Sequence, residues 1–166
     1  QERTRSIRVG KPFTIGDLRI TAFNVDHSTF DCLAFMLEGN GKRILYSGDL
    51  RLHGRKPGMA RTLLNALRRL PVDVLLMEGT NIADTTKPHV SELELEARIQ
   101  QAIKRSPGLL LGAFSPQNVD RLVSFYRAAR NSDRDLVADV YGAWILYLIS
   151  GQARIPRPEA RNRIRV

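Results

Sequence analysis

From residue 13 to residue 47 apolar and polar positions alternate in short runs, the two-residue period of strands with one face buried. Residues 6–9 are short and strand-like, 13–15 lead into a Gly16-Asp17 turn, and 18–25 form a longer alternating strand. The runs 33–37 and 43–47 flank Gly39-Asn40-Gly41, residues that tolerate positive φ, which predicts an antiparallel hairpin. The period then changes. Leu63, Leu64, Leu67 and Leu70 recur at helical spacing, so a helix is expected from about Met59 to a stop at Pro71. Residues 72–77 are continuously apolar and read as a strand buried on both faces.

Past residue 90, helix and strand patterns alternate. Ser91 and Glu94 make an S-x-x-E capping box ahead of an apolar stripe of Leu95, Ile99, Ala102 and Ile103, and Pro107-Gly108 stops that helix. Residues 109–114 read as a buried strand. Ser115-Pro116 opens a further helix whose inner face would be Val119, Leu122, Val123 and Tyr126. A strand at 136–140 and a short apolar helix at 143–149 follow. Three such steps predict a parallel sheet with right-handed crossovers. The polar stretch 80–88 places a domain boundary near Asn81, dividing 1–80 from 81–166.

The chain has 166 residues, room for one domain or two small incomplete ones, and 43% hydrophobic content supports a core. Its net charge of +9 favours an anionic partner, nucleic acid being the commonest case. The charge is clustered: Arg51, Arg55, Lys56, Arg61, Arg68 and Arg69 fall in an acid-free stretch, and five arginines lie between 154 and 165 against Glu159 alone. Clustering of this kind suits phosphate contact or a solvated edge. Cys32 is the sole cysteine, which excludes an intrachain disulfide and a thiol-rich metal site, and it reads as a small buried residue rather than a nucleophile. Apolar runs fall short of membrane-spanning length and no signal peptide pattern opens the chain, so a soluble cytoplasmic protein without a membrane partner is expected.

Two short motifs carry candidate chemistry. Asp26-His27-Ser28 closes the 18–25 strand, and Gly48-Asp49-Leu50-Arg51 closes the 43–47 strand. Side chains at neighbouring strand ends converge on one sheet edge, where a neutral imidazole and a carboxylate make good metal ligands. Glu78 follows the 72–77 run in the same manner. The plainer alternatives are a strand-end histidine, a carboxylate accepting bonds within a Gly-Asp turn, and an acid paired with a nearby arginine. Arg51, His53, Arg55 and Lys56 come next in the chain and read equally as substrate-phosphate contacts or as a solvated loop. Ser115 and Asn118 suit helix capping first and phosphate binding second. His89, beside Pro88, reads as exposed and without a role.

The ordered set of Asp26-His27-Ser28, the run ending Tyr46-Ser47-Gly48-Asp49-Leu50-Arg51, and Met77-Glu78-Gly79-Thr80-Asn81 resembles the metallo-β-lactamase superfamily. More narrowly it is similar to the ribonuclease J-like β-CASP nucleases, and Phe114-Ser115 with Asn118 and Arg121 resembles the helix start after their first β-CASP strand. The resemblance implies an α/β fold: part of a metallo-β-lactamase αββα sandwich over 1–80, then the parallel α/β start of a β-CASP domain over 81–166. It implies His27 as a ligand of one of two zinc ions, Asp49 as the carboxylate bridging both, and Glu78 as a catalytic-cleft acid. The implied reaction is hydrolysis of RNA phosphodiesters, or of DNA, by two-metal activation of water. The family's His-x-His-x-Asp-His signature is absent from these residues. The chain is therefore expected to be an internal segment whose remaining ligands come from the rest of its polypeptide, weak in zinc binding and inactive alone. Asp31-Cys32 stands where many relatives carry Gly-Ala. Two other readings stay open: a hydrolase of a small molecule on the same fold, and a non-catalytic nucleic-acid-binding module.

Overall fold

The computed structural model describes residues 4–80 and 89–166, which fall into two compact units. The first comprises Gln1–His27, Asp31–Leu52 and Lys56–Pro88; the second comprises Ser28–Phe30, His53–Arg55 and His89–Val166. The expected boundary at Asn81 falls outside the described residues.

In the first unit β1 (Phe13–Ile15), β2 (Leu18–Asn24), β3 (Leu33–Gly39), β4 (Lys42–Tyr46) and β5 (Val74–Leu76) form one sheet in that order. The first four pair antiparallel and β5 joins β4 in parallel. The β3–β4 hairpin closes through Asn40 and Gly41 at φ 49° and 70°, the primed turn that matches strand twist. Helix α1 (Gly58–Leu67) packs Leu63 into a core of Val25, Ala34, Met36 and Leu45, where Ala34, Met36 and Leu45 share one sheet face by register. Asp73 extends the β4–β5 pairing: its carboxylate accepts from the Arg43 amide at 2.8 Å and from Lys42 Nζ at 3.3 Å. The Arg43 amide first, then Lys42, holds the Asp73 carboxyl below its ordinary range.

Two expectations for this unit are corrected. Residues 6–9 form no strand; they lie exposed ahead of a turn in which Gly10 takes φ 73°. Residues 72–77 yield only the three-residue β5, and Val74, Leu75, Leu76 and Met77 are all exposed, not buried on both faces. As the edge strand of the described sheet, β5 has a neighbour on one side only.

The second unit is built on α2 (Glu92–Arg105), α3 (Val119–Arg130) and α4 (Val140–Ser150). Ser91 Oγ accepts from the Glu94 amide as the box predicts, while the Glu94 carboxylate pairs with Arg98. Ile99 and Ile103 pack on Ala128 and Ala129; Ala102 turns out exposed. Helix α3 begins at Val119 rather than at Pro116, with Asn118 capping the Arg121 amide, and Val119, Leu122 and Tyr126 are buried. Strand β6 (Leu136–Val137) is shorter than expected because Asp139 caps α4, and it pairs in parallel with β7 (Ile164–Arg165). Arg163 ties this pair to Asp133 and Asp135, and its bond, then that of Arg165, lowers the Asp135 pKa.

Residues 109–114 are not a strand: Leu109 and Leu111 are over 80% exposed. Leu109–Gly112 line a cavity of about 430 Å³ together with Leu136 and Val137, and 109–114 joins no ladder among the described residues. The anticipated three-step parallel sheet is thus reduced to β6 and β7 among the described residues. No described helix is long and apolar enough to cross a membrane.

Candidate metal centre

Strands β2 and β4 are both antiparallel to β3, so they run in the same direction, and β5 runs with β4. The C-terminal ends of all three therefore emerge at one sheet edge, carrying His27, Asp49 and Glu78 in turn. There His27 Nε2 lies 3.9 Å from Asp49 Oδ2, with the imidazole 29% and the carboxylate 68% exposed. Glu78 sits beside them in the chain's hydrogen bonding: Oε1 accepts from the Leu50 amide at 2.7 Å and Oε2 from Thr80 Oγ1 at 3.0 Å. Gly48 makes the turn into Asp49 at φ 57°, and a Cβ there would meet the Leu33 carbonyl oxygen at 2.8 Å.

The loop following His27 is fixed by local bonds. Asp31 adopts φ 60° and accepts from Asn24 Nδ2 at 2.7 Å, while the Val25 amide donates to the Cys32 carbonyl. The Asp31-Cys32 pair thus closes the β2–β3 connection, with Cys32 packed against the core.

The pair fits a metal as part of its shell. Two donors on one tetrahedral zinc stand roughly 3.4 Å apart, given Zn–N and Zn–O bonds of about 2.1 Å. A small rotation of the exposed Asp49 side chain covers the difference. No group of three His, Cys, Asp or Glu among the described residues is placed to hold a metal ion. The pair therefore supplies at most two of the three protein ligands a catalytic zinc requires.

The expected phosphate contacts separate into different surroundings. Arg51 turns inward, its side chain 10% exposed, and its Nε donates to Asp26 Oδ1 at 3.2 Å. Arg55, in the second unit, is also 10% exposed: its amide donates to Asp120 Oδ2, and its guanidinium engages Glu96 and Ser124 Oγ. Neither guanidinium lies open to a substrate phosphate, contrary to the expectation for this stretch. His53 stacks on His89 with ring centroids 5.2 Å apart, giving His89 a partner that sequence did not suggest. Lys56 is exposed. Ser115 is exposed and its carbonyl accepts from the Asn118 amide; Asn118 serves as the cap of α3.

Sequence reading missed the buried polar groups. Asp26 is 6% exposed, and Glu92 is 2% exposed while accepting both Arg121 Nε and Nη2 and Ser124 Oγ. The available signal was weak: an acid directly before His27, an arginine two residues after Asp49, and an acid at the first position of a capped helix.

The chain is similar to known proteins in sequence and in fold. The chain is 31% identical over 126 residues to ribonuclease J of Mycobacterium tuberculosis, which covers 74% of this chain and 22% of that protein. It is 32% identical over 127 residues to ribonuclease J of Corynebacterium glutamicum, covering 72% and 17%. The chain thus spans about a fifth of the length of these curated relatives. Among solved structures, a protein of unknown function from Enterococcus faecalis V583 superposes with a TM-score of 0.74 at 23% identity, over 91% of this chain and 36% of that one, a likeness of fold. The family model for the beta-lactamase superfamily domain matches residues 1–110, and on that match the chain belongs to the metallo-β-lactamase superfamily.

Proposed function

We propose that this chain is part of a zinc-dependent β-CASP ribonuclease in which His27 and Asp49 are metal ligands. The observation carrying the reading is the 3.9 Å approach of the imidazole to the carboxylate at the shared end of β2 and β4. It is supported by similarity over 74% of the chain to proteins named ribonuclease J, which makes RNA the proposed substrate.

Bound divalent metal supplies Lewis acidity toward a phosphoryl oxygen and makes water acidic near neutral pH. The chain's own residues provide its seat. His27 offers a neutral nitrogen donor, and Asp49 offers two oxygens, enough to serve two cations. Glu78 acts as a positioning residue: by accepting the Leu50 amide it holds the loop that carries Asp49. The exposed Lys56, Arg61, Arg68 and Arg69, in the first unit with the pair, are the cations proposed to meet RNA phosphates. Phosphate binding at Ser115 and Asn118 is secondary to capping, since Asn118 already spends its side-chain oxygen on the Arg121 amide. The remaining ligands are proposed to come from the same polypeptide.

In the intact polypeptide, H27A or D49A is expected to lower EDTA-sensitive cleavage of a 5′-labelled RNA by roughly a hundredfold or more. Cleavage untouched by either substitution overturns the site. The 166-residue chain alone is expected to carry well under one zinc by elemental analysis and to leave RNA intact. Stoichiometric zinc together with EDTA-sensitive cleavage by that chain overturns the ligand count. RNA retained without cleavage by the intact polypeptide selects the non-catalytic binding module instead.

A further inference from the structure

We propose that Asp26 and Arg51 form a buried clamp that presets the spacing of His27 and Asp49, an inference resting on the metal-ligand reading above. Asp26 immediately precedes His27, and Arg51 follows Asp49 by two residues. A bond between these neighbours therefore acts on both ligand-bearing loops through almost no intervening chain. The bond is double: the Arg51 amide donates to the Asp26 carbonyl at 2.7 Å, and Arg51 Nε donates to Oδ1 at 3.2 Å. Both side chains are sequestered, 10% exposed for Arg51 and 5% for Asp26.

Asp49 is bracketed as a result. Gly48 fixes the turn before it, Glu78 holds the Leu50 amide after it, and Asp26 holds Arg51 one residue further on. The Asp49 side chain, 68% exposed, has little packing of its own to place it. Its position is inherited from this backbone.

The energetics argue that geometry, not stability, is what the pair contributes. A buried ion pair gains little over apolar residues of equal volume, because both charges lose their hydration. Here the compensation is incomplete, since Asp26 Oδ2 is buried without a hydrogen-bond partner among the described residues. An arrangement that is costly to bury and directly joins two ligand loops fits the outer-shell role that orients metal ligands. Arg51 thereby becomes a positioning residue instead of a phosphate contact.

The test titrates Zn2+ alone into the isotopically labelled 166-residue chain and follows the imidazole signals of His27, with His53 and His89 as internal controls. Met36 methyl signals, at the centre of the sheet, report folding in the same samples. D26N and R51M are each expected to raise the Zn2+ concentration that half-shifts His27 by about tenfold. The double variant D26N/R51M, which removes both charges of the pair together, should be no worse than the weaker single variant. R51K should recover to within about threefold of the parent. An unchanged His27 midpoint in D26N and R51M overturns the clamp. So does a weaker midpoint accompanied by collapse of the Met36 signals, which would make the pair a stability element only. Failure of Zn2+ to shift His27 in the parent chain instead overturns the ligand reading on which the clamp stands.

Discussion

Gly48 takes φ 57°, and a Cβ at this position would lie 2.8 Å from the Leu33 carbonyl oxygen, so both backbone conformation and space oppose a side chain. G48A is expected to destabilise the first unit by about 1–3 kcal/mol, measured by urea unfolding. Asp73 gives a second single-residue prediction. Its folded pKa is lowered by the Arg43 amide and Lys42, so its contribution is present above the ordinary value of 3.8 and is lost as pH falls through the folded value. D73N should therefore be less stable than the parent at neutral pH, with the gap narrowing as the pH of the urea series drops below 3.8. At this scale the approach of His27 to Asp49 was legible because strand ends advertise where side chains gather. It misassigned Arg51 and Arg55 because a charge does not disclose which way it turns; their acceptors Asp26, Glu96 and Asp120 lie 25, 41 and 65 residues away.

Elements whose signals are local were readable, and those that depend on neighbours were not. The Asn40-Gly41 hairpin follows from two residues' tolerance of positive φ, and the Ser91 cap from a four-residue motif. N118A is expected to cost about 1 kcal/mol of stability through the lost cap on the Arg121 amide. Residues 72–77 and 109–114 are apolar enough for interior strands, yet a strand also requires an adjacent ladder and a covering layer, which composition cannot supply. The α2–α3 pair depends on such distant partners as well: Glu92 at 2% exposure is neutralised by Arg121 and Ser124 from the next helix. E92A should destabilise the second unit by about 1–3 kcal/mol, read as a lowered urea midpoint, because it removes a buried acceptor from Ser124 and the partly exposed Arg121.

For the molecule as a whole, the α/β class was legible from the change of hydrophobic period, while the charge of +9 pointed to an anionic partner without saying where it binds. Several of the 26 basic side chains are engaged internally, by Asp26, Glu92, Glu96, Asp133 and Asp135. Affinity for single-stranded RNA should consequently fall with rising salt, with a log–log slope reflecting a few phosphates rather than the full count of cations. A flat response in a fluorescence-anisotropy titration would show that the basic clusters do not touch phosphate. Cys32, the only thiol of the chain, leans on the Val25, Ala34 and Met36 core. Because that thiol is partly exposed, a small alkylating reagent would label the start of β3 in the folded chain, with no competing sulfhydryl anywhere in these 166 residues.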